Sequence, residues 1–506
     1  VNTSHNISTI CVFGGGTSGW LTAAYLLAKV PSHIKITVVE SSTIGIIGVG
    51  EGTQPYTAQF LREANIPEHI WMKNADASYK LGVEFEGWHS SRNYFVDNDA
   101  YDVHMLAPNT LTHKYWSNRS ADEFFNWLPS YRLAKSNTSP KLNDVKFDYS
   151  FGMMAPSWDA MHFNAYKIGE SIKNYIKDKV ELHDVVIKRV EHNEEGVQHL
   201  VTENDEIIRA DVYIDCTGFR SMLLEETLEE PHIPIDNLLP NDSAVAIPTQ
   251  YIDPKAECHP FTKATTMKNG WRWTIPTYSR IGNGYVYSSK HCTPEQAEQE
   301  LRDAIGEHSA EARHLKMKCG FHRNVAKSNV LAVGLSAGFV EPLEATGITF
   351  TTKAVQFFVE ALAQNGGVMN QTVRDEVNQK FYMMVSEIVN FIWLHYHYSD
   401  RKDTDYWREV TSAPMPDHVK NVHTDFVPTP PDFIFKDEAY SMFHSGQWFE
   451  MLHGSSAYKG VLNMTHKNYD EYAKIFVSNR QHLTDEIIRN FPNHWEYLNG
   501  VYNNGS

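Results

Sequence analysis

The sequence predicts an α/β protein, with a β-α-β core at its N-terminal end and a mostly helical C-terminal subdomain. Three observations predict it. In residues 10–20, ICVFGGGTSGW, the apolar Ile10, Val12 and Phe13 form a short strand that Gly14-x-Gly16-x-x-Gly19 turns into the helix TAAYLLAKV. After Pro31, the apolar Ile34, Ile36, Val38 and Val39 form a second strand ending in Glu40, 21 positions beyond Gly19 (40 minus 19). From residue 366 onward the chain is aromatic and amphipathic, and residues 383–398, MMVSEIVNFIWLHYHY, read as helix.

Strand, glycine turn, helix, strand and acid together make a complete Rossmann-like unit. The glycines let the backbone turn tightly and approach a pyrophosphate, which then meets the free N–H groups and positive dipole end of a helix N-terminus. Gly14, Gly16, Thr17, Ser18 and Gly19 are candidate phosphate-side residues, and Glu40 stands where an acid that grips ribose hydroxyls is expected. The bland alternative is an ordinary glycine-rich turn. The unit points to an adenine dinucleotide and leaves its identity to the rest of the chain.

With 506 residues, 42% hydrophobic and 12% aromatic, the chain can bury a large core and is too long for one minimal domain. Lys+Arg 45 against Asp+Glu 62 gives a net charge of -17, which repels phosphate backbones and anionic lipid. Nucleic acid and membrane are therefore not expected partners. Cys11, Cys216, Cys258, Cys292 and Cys319 are an odd count with no C-x-x-C pair, which predicts free thiols and no metal site. No uninterrupted apolar run nears about 18 residues, so the expectation is a soluble, cytoplasmic protein.

Further along, residues 56–64 read as a helix with Phe60, Leu61 and Ala64 on one side. In residues 79–88, YKLGVEFEGW, apolar positions alternate with Lys80, Gly82, Glu84 and Glu86, which predicts a strand with Lys80 on its more polar face. Taken alone, Lys80 reads as a solvated lysine. Residues 135–147 read as a surface loop and a helix is expected from about Trp158. The alternation of Val212, Ile214 and Cys216 predicts a strand that turns at Thr217–Gly218. Two more strands are expected in GWRWTIP and GYVYSS. Residues 329–334 form a short buried strand, and residues 336–347 lead into a helix over 348–362 with Thr346 as N-cap. The proline-rich 427–433 is a connector before two final helices.

These separated motifs together resemble the tryptophan halogenase family of flavin-dependent halogenases. The matching stretches are GGGTSGW (14–20), IGVGEGTQP (47–55), YKLGVEFEGW (79–88), YIDCTGFR (213–220), GWRWTIP (270–276), FVEPLEATGI (339–348) and FIWLHYHYSDRKDTDYW (391–407). The W-x-W-x-I-P stretch is the most diagnostic. The resemblance implies a flavin monooxygenase-like FAD-binding domain over residues 1–365 and a mostly helical C-terminal subdomain over 366–506. It implies FAD, used as FADH2 supplied by a separate NAD(P)H-dependent flavin reductase, and O2 and halide as co-substrates that yield hypohalous acid. To the glycine turn and Glu40 it adds Val49, Gly50, Gly218, Gly334 and Leu335 as cofactor-binding residues. Lys80 matches the essential lysine that delivers the halogen to a small aromatic substrate, and Glu344 the glutamate that assists it. Thr346 and Gly347 match the halide-binding pair, while Trp271, Trp273, Ile275 and Pro276 form the motif at the flavin face.

Each role has an ordinary counterpart: a helix-start carboxylate for Glu344, a capped helix for Thr346, core packing for the tryptophans. The chain also departs from the family. Ala345 replaces the usual serine after the glutamate, and Leu106 replaces a phenylalanine of the indole clamp near His104. Residues 440–454 match the tryptophan-binding segment only loosely. The departures predict a pocket that accepts an indole-type or related electron-rich aromatic in preference to free tryptophan, with Trp393, His395, Tyr396, Trp448 and Phe449 as further candidate lining residues. A single-component flavin aromatic hydroxylase and a flavin-binding protein without catalysis are the rival readings. Halide preference and oligomeric state are not legible.

Overall fold

The strand Thr9–Phe13 lies in the middle of a six-stranded sheet, and its buried run Ile10–Phe13 has the continuous apolar character of a parallel strand covered on both faces. In this computed structural model the described residues are 6–45, 50–98, 115–116, 119–141, 159–415, 442–443, 445–456 and 467–503. They form two compact units, each assembled from three stretches of chain: 1–77, 163–237 and 317–386 in the first, 78–162, 238–316 and 387–506 in the second. The single division at 365/366 expected from sequence follows chain order, whereas these units alternate along the chain.

In the first unit the sheet order is Ala326–Lys327, Val330–Ala332, Val212–Asp215, Thr9–Phe13, Lys35–Glu40, Glu181–Asp184. All neighbours are parallel except the first pair. The helix Thr17–Lys29 follows the first strand, as the glycine turn predicts, and packs on the helix Ala165–Ile176. Thr17 Oγ1 donates to Ala165 O (2.7 Å), and Gly169 allows the close approach, because a Cβ there would lie 3.0 Å from Thr17 Oγ1. The helices Tyr56–Glu63 and Gly347–Gln364 lie where they were expected.

In the second unit a seven-stranded sheet runs Arg313–Lys316, Ser243–Thr249, Ile281–Tyr287, Gly270–Pro276, Thr262–Met267, Gly82–His89, Arg92–Asp97. Thr262–Met267 and Gly82–His89 pair in parallel and the other neighbours are antiparallel. Both strands expected in residues 270–289 are present. Helices Ser445–Gly454, Lys467–Asn490 and His494–Asn503 give the C-terminal part its helical character.

Three local expectations are corrected. Residues 161–164 form a strand, and the helix begins only at Ala165, where Asn164 accepts from the N–H groups of Tyr166 (3.1 Å) and Lys167 (3.2 Å). The asparagine cap, not the preceding apolar residues, sets the start. The strand through Lys80 is broken into Ser78–Tyr79 and Gly82–His89. Residues up to Lys135 belong to a helix, Pro129–Lys135, so the polar stretch begins later than its composition implies. The connector at 427–433 lies outside the described residues. All five cysteines are free thiols.

Candidate active site

In the first unit, the turns at the carboxyl ends of the parallel strands gather the candidate cofactor residues. Open α/β sheets bind their ligands at that edge. Gly14 has φ +124°, and a Cβ there would collide with the Cys216 carbonyl; a Cβ on Gly19 would collide with the carbonyl of Gly14. Gly14 also donates its N–H to Val39 O (2.8 Å). Gly16 is the N-cap of the Thr17–Lys29 helix and supplies no side chain to the free N–H groups, and no acid occupies the first turn. Backbone this bare, at a helix N-terminus, fits a pyrophosphate.

Glu40 ends the second strand, where ribose hydroxyls are expected. Its carboxylate accepts from Trp20 Nε1 (3.1 Å) and forms an ion pair with Lys173. Gly218 (φ +73°) and Gly334 (φ +65°) begin the turns after two other strands of the same sheet, and these turns are tied together. Ser336 Oγ donates to Gly218 O (3.1 Å) and Ser221 Oγ to Ser336 O (3.0 Å). Ser18 Oγ lies 2.8 Å from Thr351 Oγ1, and a Cβ on Gly334 would strike it. Leu335 is half-buried beside them. Gly50 starts the short strand Gly50–Gly52, and Val49 lies outside the described residues. The chain thus presents a cradle suited to an adenine dinucleotide such as FAD.

The same unit holds the candidate anion site. Glu344 is buried at the end of a 3-10 turn, Ala345 is left-handed (φ 55°, ψ 42°), and Thr346 is the N-cap of the Gly347–Gln364 helix. Gln54 Nε2 donates to Glu344 O (2.8 Å) and holds this turn to the 50–55 segment. Thr346 occupies the cap position predicted for it, but its hydroxyl does not cap the helix. Thr346 Oγ1 is buried and makes no hydrogen bond to any described residue. An uncapped helix start with no acid in its first turn, beside an unsatisfied hydroxyl, is chemically suited to a small anion.

The second unit holds Lys80 and the tryptophan strand. Lys80 N–H donates to Ala160 O (2.9 Å) and Leu81 N–H to Pro260 O (2.7 Å), so the ladder changes partner at the strand break. Lys80 is fully buried, contrary to the solvated position its alternation predicts. Period two assigns a residue to a face, but the break between the two strands ends that periodicity at Lys80. Across the short strand, Ser78 pairs with His162 and Tyr79 with Met161. Ser78 Oγ donates to Pro276 O (2.5 Å), the last residue of the W-x-W-x-I-P strand. His162 Nε2 lies 2.8 Å from Thr262 Oγ1 and its Nδ1 lies 3.3 Å from Ser78 Oγ. Burial, with Lys80 and His494 adding to it, holds the His162 pKa well below the usual range, so this imidazole is neutral.

Trp271 and Trp273 are buried on one face of their strand, ring centroids 6.3 Å apart, and the Trp273 indole lies over Gly284, which has no room for a side chain. Ile275 and Pro276 complete the strand and are buried. His395 stacks on Phe85 (4.2 Å) and lies 2.8 Å through Nδ1 from Tyr94 OH. Tyr396 OH accepts from Asn241 Nδ2 (2.8 Å), and Trp393 stacks on His397 (4.5 Å). Trp448 and His395 both meet Phe391, and Phe449 packs on Phe124 and His453. All five aromatic candidates are buried within ring clusters. His104 and Leu106 lie outside the described residues.

Four residues escaped the sequence reading. Gln54 and Asp215 stand inside quoted motifs. Asp215 Oδ1 accepts from Thr217 N (3.0 Å) and Oγ1 (2.6 Å), and its Oδ2 accepts from the N–H groups of Leu223 (2.7 Å) and Leu224 (3.0 Å), which fixes the turn at Gly218. An acid at the end of a buried strand, one residue ahead of a Thr-Gly turn, is the available signal. Lys173 and His162 carried none, since one sits on an amphipathic helix and the other in a segment expected to be helical.

The parallel sheet, with its bare glycine turn and strand-end acid, is the core of a Rossmann-like α/β fold. The sequence profile of the family described as Tryptophan halogenase matches residues 9–469. The chain is 31% identical to a 7-chloro-L-tryptophan 6-halogenase of Kutzneria sp. (strain 744), over 96% of this chain and 98% of that protein. Among solved structures it resembles the tryptophan halogenase of Shewanella frigidimarina NCIMB 400, with TM-score 0.90, 26% identity, and coverage of 100% of this chain and 99% of the other. It also resembles a flavin-dependent halogenase of Xanthomonas campestris, with TM-score 0.84, 26% identity and 98% of each chain covered. The chain belongs to the tryptophan halogenase family. It is a flavin-dependent halogenase, an oxidoreductase of a family that carries out FADH2-dependent halogenation of aromatic substrates. Among the described residues no helix is long and apolar enough to cross a membrane.

Proposed function

We propose that this chain takes FADH2 from a separate NAD(P)H-dependent flavin reductase and halogenates an electron-rich, indole-type or related aromatic through Lys80. The observation that carries the reading is the complete burial of Lys80. An ammonium taken out of water is costly unless a function or a partner requires it, and here it stands in the motif where the family keeps its essential lysine. Reduced FAD, when bound, supplies with O2 and halide the hypohalous acid. The glycine turn and the Thr17–Lys29 helix N-terminus bind its pyrophosphate, and Glu40, Gly218, Gly334 and Leu335 complete the cradle. The N–H groups at Thr346 and Gly347 receive the halide. Lys80 donates a hydrogen bond to the halogenating species, or, after losing a proton, takes its halogen to form a haloamine with release of water, and holds the halogen toward the ring. Glu344 polarises that species or accepts the proton lost from the ring.

The departures at Ala345, Leu106 and residues 440–454 support an aromatic less constrained than free tryptophan, because a pocket that reads an amino acid backbone needs paired polar groups. Purified protein supplied with FAD, a flavin reductase, NADH and chloride, bromide or iodide is offered indoles, phenols, anilines and L-tryptophan, with products read by mass spectrometry. Halogenated indole-type products with little halogenated tryptophan are expected. Efficient, regiospecific halogenation of L-tryptophan would sink the substrate assignment, and absence of halogenated product across the panel would sink the reaction.

A further inference from the structure

His162 is buried and has no part in the roles assigned above. Its surroundings determine its proton. Ser78 Oγ spends its single hydrogen on Pro276 O (2.5 Å), so toward His162 Nδ1, 3.3 Å away, it can only accept. Nδ1 therefore carries the ring proton, and Nε2 accepts from the Thr262 hydroxyl at 2.8 Å. The result is one directed chain, Thr262 to His162 to Ser78 to Pro276. It joins the first strand residue before the Lys80 break to the end of the W-x-W-x-I-P strand. Lys80 and His494 are the charged or titratable groups that bear on the ring, and both oppose a second positive charge there. Ser78, Thr262 and Pro276 present only hydroxyl and carbonyl groups.

We propose that His162 is a positioning residue for Lys80, a neutral imidazole that pins the strand break carrying the ammonium to the tryptophan strand. The inference rests on the reading of Lys80 as the group that delivers the halogen. Lys80 ends this short ladder, its N–H on Ala160 O (2.9 Å), before the chain changes partner at Leu81, and a displacement of about 1 Å at a reacting group can cost on the order of a hundredfold in rate. The pair Ser78–His162 anchors the other end of the same ladder.

The test is the ratio of halogenated product to reduced flavin oxidised, with FAD Kd and the unfolding midpoint measured alongside. His162→Phe keeps the ring volume and removes both nitrogens; the ratio is expected to fall about tenfold or more while flavin oxidation and FAD Kd stay at the wild-type values. His162→Asn keeps a donor toward Ser78 and Pro276 and is expected to recover the ratio to within about threefold of wild type. Thr262→Val removes only the hydroxyl that Nε2 accepts from, and a fall of about threefold is expected. A wild-type ratio in His162→Phe overturns the proposal, as does a wild-type ratio in Thr262→Val if the phenylalanine variant does not fold. Equal loss in His162→Phe and His162→Asn together with weakened FAD binding assigns the histidine to the fold and also overturns it. Lys80→Met separates the two readings. Product from that variant defeats the role of Lys80, whereas its silence beside a fully coupled His162→Phe defeats only the role of His162.

Discussion

At the scale of single residues, a buried lysine and a left-handed alanine stand out. Lys80 has no exposure, so its ammonium acts in a medium where each hydrogen bond and charge counts for more than in water. Ala345 sits at φ 55°, a conformation that costs an L-residue about 1–2 kcal/mol. Ala345→Gly is therefore expected to raise stability by up to about 1 kcal/mol in chemical denaturation, the gain being reduced by the greater freedom of glycine in the unfolded chain. Ala345→Val is expected to lower it. The motifs made Lys80 and Glu344 legible as candidates, but not their environment. Alternation put Lys80 on a wet face because nothing in YKLG announces that the strand breaks there. Gln54 and His162 act through partners far along the chain, at Glu344 and Thr262, and no local pattern encodes such a pairing.

At the scale of elements, two helix starts are the proposed binding elements, and both lack a side-chain cap. The first is shaped by glycines whose positions were fully readable, since only glycine tolerates the approach of the Cys216 and Gly14 carbonyls. Gly14→Ala is expected to abolish FAD binding in a fluorescence titration and to destabilise the fold by more than about 1 kcal/mol, because the position combines φ +124° with a backbone collision. For the second start the sequence predicts a Thr-capped helix; Thr346 is at the cap position but makes no capping bond. Thr346→Val tests what that hydroxyl is for. It removes a buried, unsatisfied polar group, whose burial costs about 1–3 kcal/mol, so halide-free protein is expected to become more stable. The KM for halide is expected to rise at the same time. An unchanged halide KM would remove the hydroxyl from the anion site.

At the scale of the whole molecule, two interleaved units arise from one chain, and sequence order hides them. The glycine fingerprint, the strands at 212–215 and 330–332 and the helices at 17–29 and 347–364 were legible because each carries a local period or turn signal. The alternation of units was not, because it depends on which distant strands pair: Thr9–Phe13 with Val212–Asp215, and Gly82–His89 with Thr262–Met267. Burial also leaves the molecule sensitive to acid. It holds His494 and His453 down to about 4, against about 6.5 in an unfolded chain. The unfolded state therefore binds more protons between these values. The stability these neutral histidines contribute is complete above about pH 6.5 and is lost as pH falls toward about 4, at roughly 1.4 kcal/mol per pH unit for each. Urea midpoints measured from pH 7.5 to 4.5 are expected to fall steeply below about pH 6.5. In His494→Gln, itself less stable at neutral pH, the fall is expected to be shallower.

The proposed place where the bond to halogen is made, Lys80 and not the cofactor cradle, is tested directly by one comparison. Wild-type protein and Lys80→Met are each supplied with FAD, a flavin reductase, NADH, bromide and an indole, and halogenated product is followed by mass spectrometry while NADH consumption is followed by absorbance. The expected result is brominated product from the wild type and none from Lys80→Met, with equal flavin oxidation in both. Brominated product from Lys80→Met at the wild-type rate would rule out that role for Lys80.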